Sequence, residues 1–305
     1  MKVNLLRYTF VLLHFNNVEV TCKAIQYIRS LNTESGEVNI VVVNNGSSNN
    51  SGIILDKQYG SEGNVVIIHN EKNIGFAKGN NIGYLYAIEH YKPDFVILMN
   101  TDIFIYDVEF LNILSSFYSD DVEIIAPDII TKNGIHQNPD SIYIISNLKM
   151  LSIYAYNTII SLIYKIPIVS SLAVKFLDKR NRLKIKNATK INVTMYDIVP
   201  HGSCLIYTKK WIRNERIAFV PDTFMYFEEN ILMDYIVSHD YHTVYFPKLI
   251  VHHLEDASIN SFKQVSLEKR KFVSNNMRKS VCFLMKKRLN DRIYKFVKLL
   301  NLQKV

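Results

Sequence analysis

Residues 64–102 read NVVIIHNEKNIGFAKGNNIGYLYAIEHYKPDFVILMNTD, and their order decides the fold class. The apolar run at 64–70 ends in a polar turn, as a buried strand does. Residues 75–91, GFAKGNNIGYLYAIEHY, open on glycine and asparagine and then keep apolar positions at helical spacing. Residues 93–100, PDFVILMN, form a second apolar run, closed by Asn100-Thr101-Asp102. Strand, helix and strand at this spacing predict two parallel strands joined by a crossover helix.

Outward from that unit the pattern repeats. YTFVLLHF (8–15) and VNIVVVNN (38–45) read as buried strands, with the helical spacing of VEVTCKAIQYIRSL (18–31) between them. The first 130 residues therefore predict β-α-β-loop-β-α-β, an α/β doubly wound, mostly parallel sheet with flanking helices. Such a sheet takes ligands at the C-terminal ends of its strands. Polar clusters fall at those ends: His14-Phe15-Asn16-Asn17, Asn44-Asn45-Gly46-Ser47-Ser48 and Asn100-Thr101-Asp102. Turn chemistry accounts for any one of them; three at successive strand ends point to one site.

Charge divides the chain. Its net charge is +8, yet residues 263–305 alone hold 13 Lys/Arg against 2 acidic residues, which leaves the body slightly acidic. In that tail Val281, Phe283, Leu284, Ile293, Phe296, Val297, Leu299 and Leu300 recur at roughly helical spacing among the cations. The pattern reads equally as a helix on an anionic membrane surface or as one packed on the body with a basic outer face. Residues 141–186 form a second distinct region, an apolar, Tyr-rich helical insertion followed by the basic KFLDKRNRLKIK. Lys165 and Pro167 interrupt it before it reaches membrane-spanning length. The expected organisation is a domain over 1–262 with that insertion, and a basic amphipathic helical tail over 263–305.

Several classes drop out. No nucleic-acid motif accompanies the basic tail, so no nucleic-acid partner is expected. Neither GxGxxG nor GxxxxGK[ST] occurs at a strand end, which removes the main support for dinucleotide and P-loop chemistry. Cys22, Cys204 and Cys282 are scattered and odd in number, as suits a reducing compartment. The first apolar run is too short for a signal sequence and reads as a strand, so the expected location is cytoplasmic.

Chemistry concentrates in 218–260. An aromatic-flanked pair, Glu228-Glu229, precedes His252-His253, which end an apolar run. Carboxylates beside aromatics suit proton removal from a hydroxyl, and histidines ending a strand suit metal ligation. A solvated Glu pair and two surface histidines would read the same in isolation. Asp102 after its strand suits a divalent cation held against a diphosphate. The Gly75 turn opens a helix whose N-terminus favours anions.

Read together, VVVNNGSS, HNEKNIGFAKGNNIGYLYA, VILMNTDIFI, HGSCLIYTKKWI, TFMYFEENIL and YFPKLIVHHLEDAS resemble family 2 glycosyltransferases of the GT-A fold in order and spacing. They look most like the rhamnosyltransferase-like branch that builds bacterial polysaccharides. The resemblance runs from about residue 6 to 260, omitting most of 140–190. It implies a nucleotide-diphosphate-sugar donor, a divalent metal (Mg or Mn) and inverting transfer to a hydroxyl of a saccharide or lipid-linked acceptor. Peripheral contact with the inner face of the cell membrane follows from that acceptor and from the tail.

Carried over by position, the resemblance puts Phe15, Asn16, Asn44 and Asn45 around the nucleotide base and ribose. Asn73, Gly75 and Asn80 shape the ribose and diphosphate wall, beside Asn100 and Thr101. Asp102 and His252 are the metal or diphosphate contacts, and His201 and Gly202 lie on the acceptor side. Glu229 is the catalytic base and Glu228 its neighbour. Asn44 stands where an Asp is common and Asn100 where many relatives carry the first Asp of DxD. The alternative is a nucleotide-sugar-binding protein that has lost turnover.

Overall fold

The computed structural model describes residues 5–34, 36–117, 121–166, 170, 190–254 and 267–302. Four strands, β1 (Leu6–His14), β2 (Gly36–Asn44), β3 (Val65–His69) and β4 (Phe95–Asn100), lie parallel in the order β3-β2-β1-β4. Five more follow among the described residues: β5 (Ile103–Phe104), β6 (Ile124–Thr131), β7 (Met195–Tyr196), β8 (Cys204–Thr208) and β9 (Thr243–His253). The sheet continues β4-β8-β6-β9-β5, with β7 paired to β9. Only β5, β7 and β8 run against the rest, so the mostly parallel sheet is as expected.

Register aligns the strand ends. His14 pairs with Asn44, Asn44 with His69, and Leu13 with Asn100, so the polar loops that follow these strands leave the sheet along one line. β6 runs parallel to β4 across β8 and delivers residues 132–140 to the same edge.

Both faces of the sheet are covered. Tyr8, Phe10, Leu12, Ile40, Val42 and Ile97 pack with α1 (Val18–Arg29), α2 (Ser51–Tyr59) and α4 (Phe110–Ser116). The alternate residues Val11, Val41, Val43, Val96 and Leu98 pack with α3 (Phe76–His90), α6 (Lys209–Asn214) and α7 (Glu228–Ser238). The two-residue period of a strand makes that division, and burial on both faces explains the unbroken apolar runs. α2 corrects one expectation, since residues 46–63 read as a loop. Its Ile53 and Ile54 point outward while Gly52, Leu55 and Tyr59 are buried, so no amphipathic stripe marks it in the sequence.

The insertion supplies α5 (Asn147–Ile163), which packs along α8 (Leu267–Leu302). Val281 and Leu284 of α8 are buried with Met150, Val220, Phe227 and Ile231. Arg288 Nε donates to Asp234 Oδ1 at 2.6 Å, and Ser280 Oγ donates to the Met225 carbonyl at 3.2 Å. This part of the basic tail is therefore fastened to the body, beside the turn that carries Glu228 and Glu229. KFLDKRNRLKIK (175–186), the 262/263 boundary and the side chains of Ile293, Phe296, Val297, Leu299 and Leu300 lie outside the described residues. Among the described residues no helix is long and apolar enough to cross a membrane.

Candidate active site

On the β1–β3 side of the strand-end line, most of the amides are engaged with the protein itself. Asn45 is buried, and its Nδ2 donates to Asn73 Oδ1 and the Gly75 carbonyl while its Oδ1 accepts from Asn70 Nδ2 and the Ile74 N–H. These four bonds fix the 70–75 turn. Asn73 Oδ1 also accepts from the Gly75 N–H at 2.9 Å. Asn44 Oδ1 accepts from the Ser47 N–H, and its Nδ2 meets His69 Nδ1 at 3.1 Å. Asn16, at φ 62°, accepts from the Ser48 N–H and binds its loop to the β2 loop. Asparagine tolerates that left-handed backbone better than most residues. Phe15 is 46 % exposed, a ring available for stacking on a base. Asn80 is buried; its Nδ2 donates to the Phe76 carbonyl and its Oδ1 has no partner among the described residues.

The next step along the line changes a residue assignment. His252 was expected beside Asp102, but its ring stacks on Tyr106, with centroids 4.5 Å apart. His253 is the histidine that reaches Asp102, with Nε2 3.3 Å from Oδ2. Successive residues of β9 face opposite sides of the sheet, so only one of the pair can meet Asp102. His253 Nδ1 is 2.7 Å from Gln137 Oε1, which accepts its proton. In the neutral ring the Nε2 lone pair therefore faces a carboxylate oxygen. Two acceptors that close suit a shared cation or proton, and such outer-shell fixing of the tautomer is characteristic of ligating histidines. Among the described residues no three His, Cys, Asp or Glu side chains are grouped to hold a metal alone. Asp102 and His253 offer two donors, so an oxygen-preferring divalent ion held there would have to complete its shell from other oxygens such as diphosphate and water.

Beyond His253 the line continues. The rings of His253 and His201 are 6.1 Å apart, and His201 Nδ1 meets Ser203 Oγ at 2.8 Å. The Gly202 N–H donates to Glu229 Oε1 at 3.1 Å. A Cβ on Gly202 would lie 2.5 Å from that same oxygen, so a larger residue here would push the carboxylate aside. Asp102, His253, His201, Gly202 and Glu229 thus form one run of neighbours, although Asp102 and Glu229 are far apart in the chain.

Glu228 and Glu229 begin α7, whose N-terminal dipole favours negative charge. The turn before them is strained: Tyr226 (φ 71°) and Phe227 (φ 77°) are both left-handed, at a cost of order 1–3 kcal/mol each. Phe227 is held by its burial in the α5–α8 cluster. The turn also meets the Gly75 loop, because the Phe76 N–H donates to the Phe224 carbonyl at 2.7 Å. Gly75, at φ 94°, passes so close to Phe224 that no side chain would fit.

Glu228 is buried, and its pKa is pushed up to about 8 by burial first and by the charge of Glu229 second. It therefore keeps its proton near neutrality. The unfolded chain releases that proton near 4.5 and the folded chain near 8, so the folded state binds more protons in between and loses stability as pH rises through this window. Glu228→Gln removes the penalty. Melting temperatures measured from pH 5 to 9 are expected to separate progressively in favour of the variant, by about 5 °C near pH 8. Parallel curves would contradict the burial-driven shift.

The structure also adds a residue that the sequence reading passed over. Asp140 is exposed, and desolvation first and the charge of Glu229 second raise its pKa, with His201 opposing. Asn138 positions the same corner, its Oδ1 accepting from the His201 N–H at 2.7 Å. The signal was available: HQNPD (136–140) is a polar loop after an apolar strand, like the three loops singled out.

The model of the family described as "Glycosyl transferase family 2" matches residues 9–167. The low-salt glycan biosynthesis hexosyltransferase Agl10 of Haloferax volcanii is 29 % identical over 104 residues, 34 % of this chain and 32 % of that protein. S. aureus TarS 1-349 in complex with UDP superposes with a TM-score of 0.51 at 13 % identity, covering 88 % of this chain and 65 % of that one. GalNAc-T7 with UDP, GalNAc and Mn2+ gives a TM-score of 0.53 at 13 % identity, covering 82 % of this chain and 44 % of that one. The chain thus spans about a third of the length of the hexosyltransferase and under two thirds of either structure.

Proposed function

The chain belongs to glycosyl transferase family 2, and from that premise we propose that it moves a hexosyl or rhamnosyl unit from a nucleoside-diphosphate sugar to a hydroxyl of a lipid-linked saccharide, in cell-surface polysaccharide synthesis. The observation that carries this reading is the run of neighbours from Asp102 through His253 and His201 to Glu229, which supports reading Asp102 as the acid on the diphosphate side and Glu229 as the base. An acceptor hydroxyl has a pKa far above neutrality, so its proton must leave as the new bond forms. In our reading Glu229 takes that proton, the acceptor oxygen bonds to the anomeric carbon, and the sugar–phosphate bond breaks on the opposite face. The nucleoside diphosphate leaves with the bonding electrons and the anomeric centre is inverted.

Each neighbour has a task in this scheme. The Gly202 N–H orients the Glu229 carboxyl, and the buried Glu228 keeps its proton beside it. Asp140 and His201 face the acceptor side and are suited to hold sugar hydroxyls. Phe15 stacks on the base, while Asn45 and Asn73 brace the wall that the ribose and diphosphate rest on. Asp102 and His253 would hold a divalent cation, which neutralises the charge gathering on the departing diphosphate. The strained turn at 226–227 and the tight seat of Glu229 favour a working enzyme over a binder that has lost turnover.

Ligand-dependent melting tests this reading. A nucleoside diphosphate or sugar nucleotide at about 100 times its Kd stabilises the fold by about 2.7 kcal/mol, which appears as a rise of several degrees. A rise is expected for one base of a panel, larger with Mn2+ than without. No rise for any member, with or without Mn2+, would overturn the proposal.

A further inference from the structure

The outer face of α5 has no cover among the described residues. Leu148, Leu151, Ala155, Ile159 and Leu162 are all exposed, Leu148 by 81 %, and helical spacing puts them in one stripe opposite the buried Met150, Asn157 and Ile160. Residues 141–166 contain Lys149 and Lys165 and no acidic residue. Soluble surfaces seldom present such a contiguous apolar stripe without a partner.

A second observation names the partner's charge. A groove between α5 and α8 runs beside the stripe, lined by Tyr154, Arg278, Lys279, Cys282, Phe283 and Lys286. Among the described residues none of its three cations is paired with a carboxylate, and the buried Arg278 Nε has no hydrogen-bond partner. An anion completes this groove while the stripe beside it enters an apolar phase. Anionic phospholipid supplies both at one surface. We propose that the outer face of α5 and the cationic groove beside it seat the protein on an anionic bilayer. α8 contributes charge to this seat, whereas its own apolar residues Val281 and Leu284 are spent on the body. The location suits a lipid-borne substrate, because the exposed Ile142-Tyr143-Ile144 lead from α5 directly back to Asp140 and Glu229. To that extent the inference rests on the lipid-linked acceptor proposed above.

Vesicle flotation of the full chain tests it, with phosphatidylcholine vesicles and vesicles half phosphatidylglycerol. The chain is expected to float with the anionic vesicles, at least tenfold more than with neutral ones. Leu148→Ser/Leu151→Ser/Ile159→Ser and Arg278→Gln/Lys279→Gln/Lys286→Gln should each reduce that binding tenfold or more, with nucleotide-dependent melting unchanged. Absence of binding by the parent chain, or binding indifferent to both triple variants, overturns the seat. So does a change of oligomeric mass in the α5 variant without loss of vesicle binding, which would make a second copy the occupant. Intact nucleotide stabilisation beside any of these failures leaves the transferase reading standing.

Discussion

Glu229→Gln is expected to keep the fold and the donor affinity while slowing sugar transfer by a thousandfold or more. The substitution is well matched to the geometry. A glutamine Oε1 can still accept the Gly202 N–H that now reaches Glu229 Oε1 at 3.1 Å, so the side chain keeps its seat. What disappears is the capacity to take a proton, a service worth typically 10² to 10⁴ in rate. Glu228 is a poor substitute, because it is buried and that burial, the larger cause of its raised pKa, persists in the variant. Single-turnover transfer, measured alongside nucleotide-induced melting, separates the two properties. A variant within tenfold of the parent rate would remove Glu229 from the base role.

The histidine pair offers the second large effect, and a built-in control. His253→Ala and Asp102→Ala are each expected to lower transfer about a hundredfold and to abolish the extra thermal stabilisation that Mn2+ gives with a nucleoside diphosphate. His252→Ala, which loses a stack on Tyr106 instead, should stay within about tenfold in rate and keep the Mn2+ response. A larger effect at His252 than at His253 would restore the assignment that the resemblance implies.

That contrast also marks how far the sequence could be read. The parallel core was legible because strands buried on both faces write unbroken apolar runs, and because helices α1 and α3 keep their spacing between them. α2 was not, since its exposed Ile53 and Ile54 break the amphipathic pattern. HH at 252–253 announced a site, yet which histidine faces Asp102 depends on the pairing of Ile103 with His253, a long-range register that no local pattern carries. The resemblance put Asn45 beside the nucleotide; that it also braces the 70–75 turn is visible only from its four partners, which no local pattern carries. Asp140 was hidden by a loop whose return toward Glu229 depends on the pairing of Ser141 with Val199.

The measurement that bears most directly on the central claim is anomalous diffraction from crystals grown with Mn2+ and a nucleoside diphosphate. The account predicts one manganese peak within about 2.0–2.5 Å of an Asp102 carboxylate oxygen and His253 Nε2, with the diphosphate beside it and the Glu229 carboxylate facing the same opening. Manganese bound at His252, or a diphosphate bound away from Asp102 and out of reach of Glu229, would contradict it.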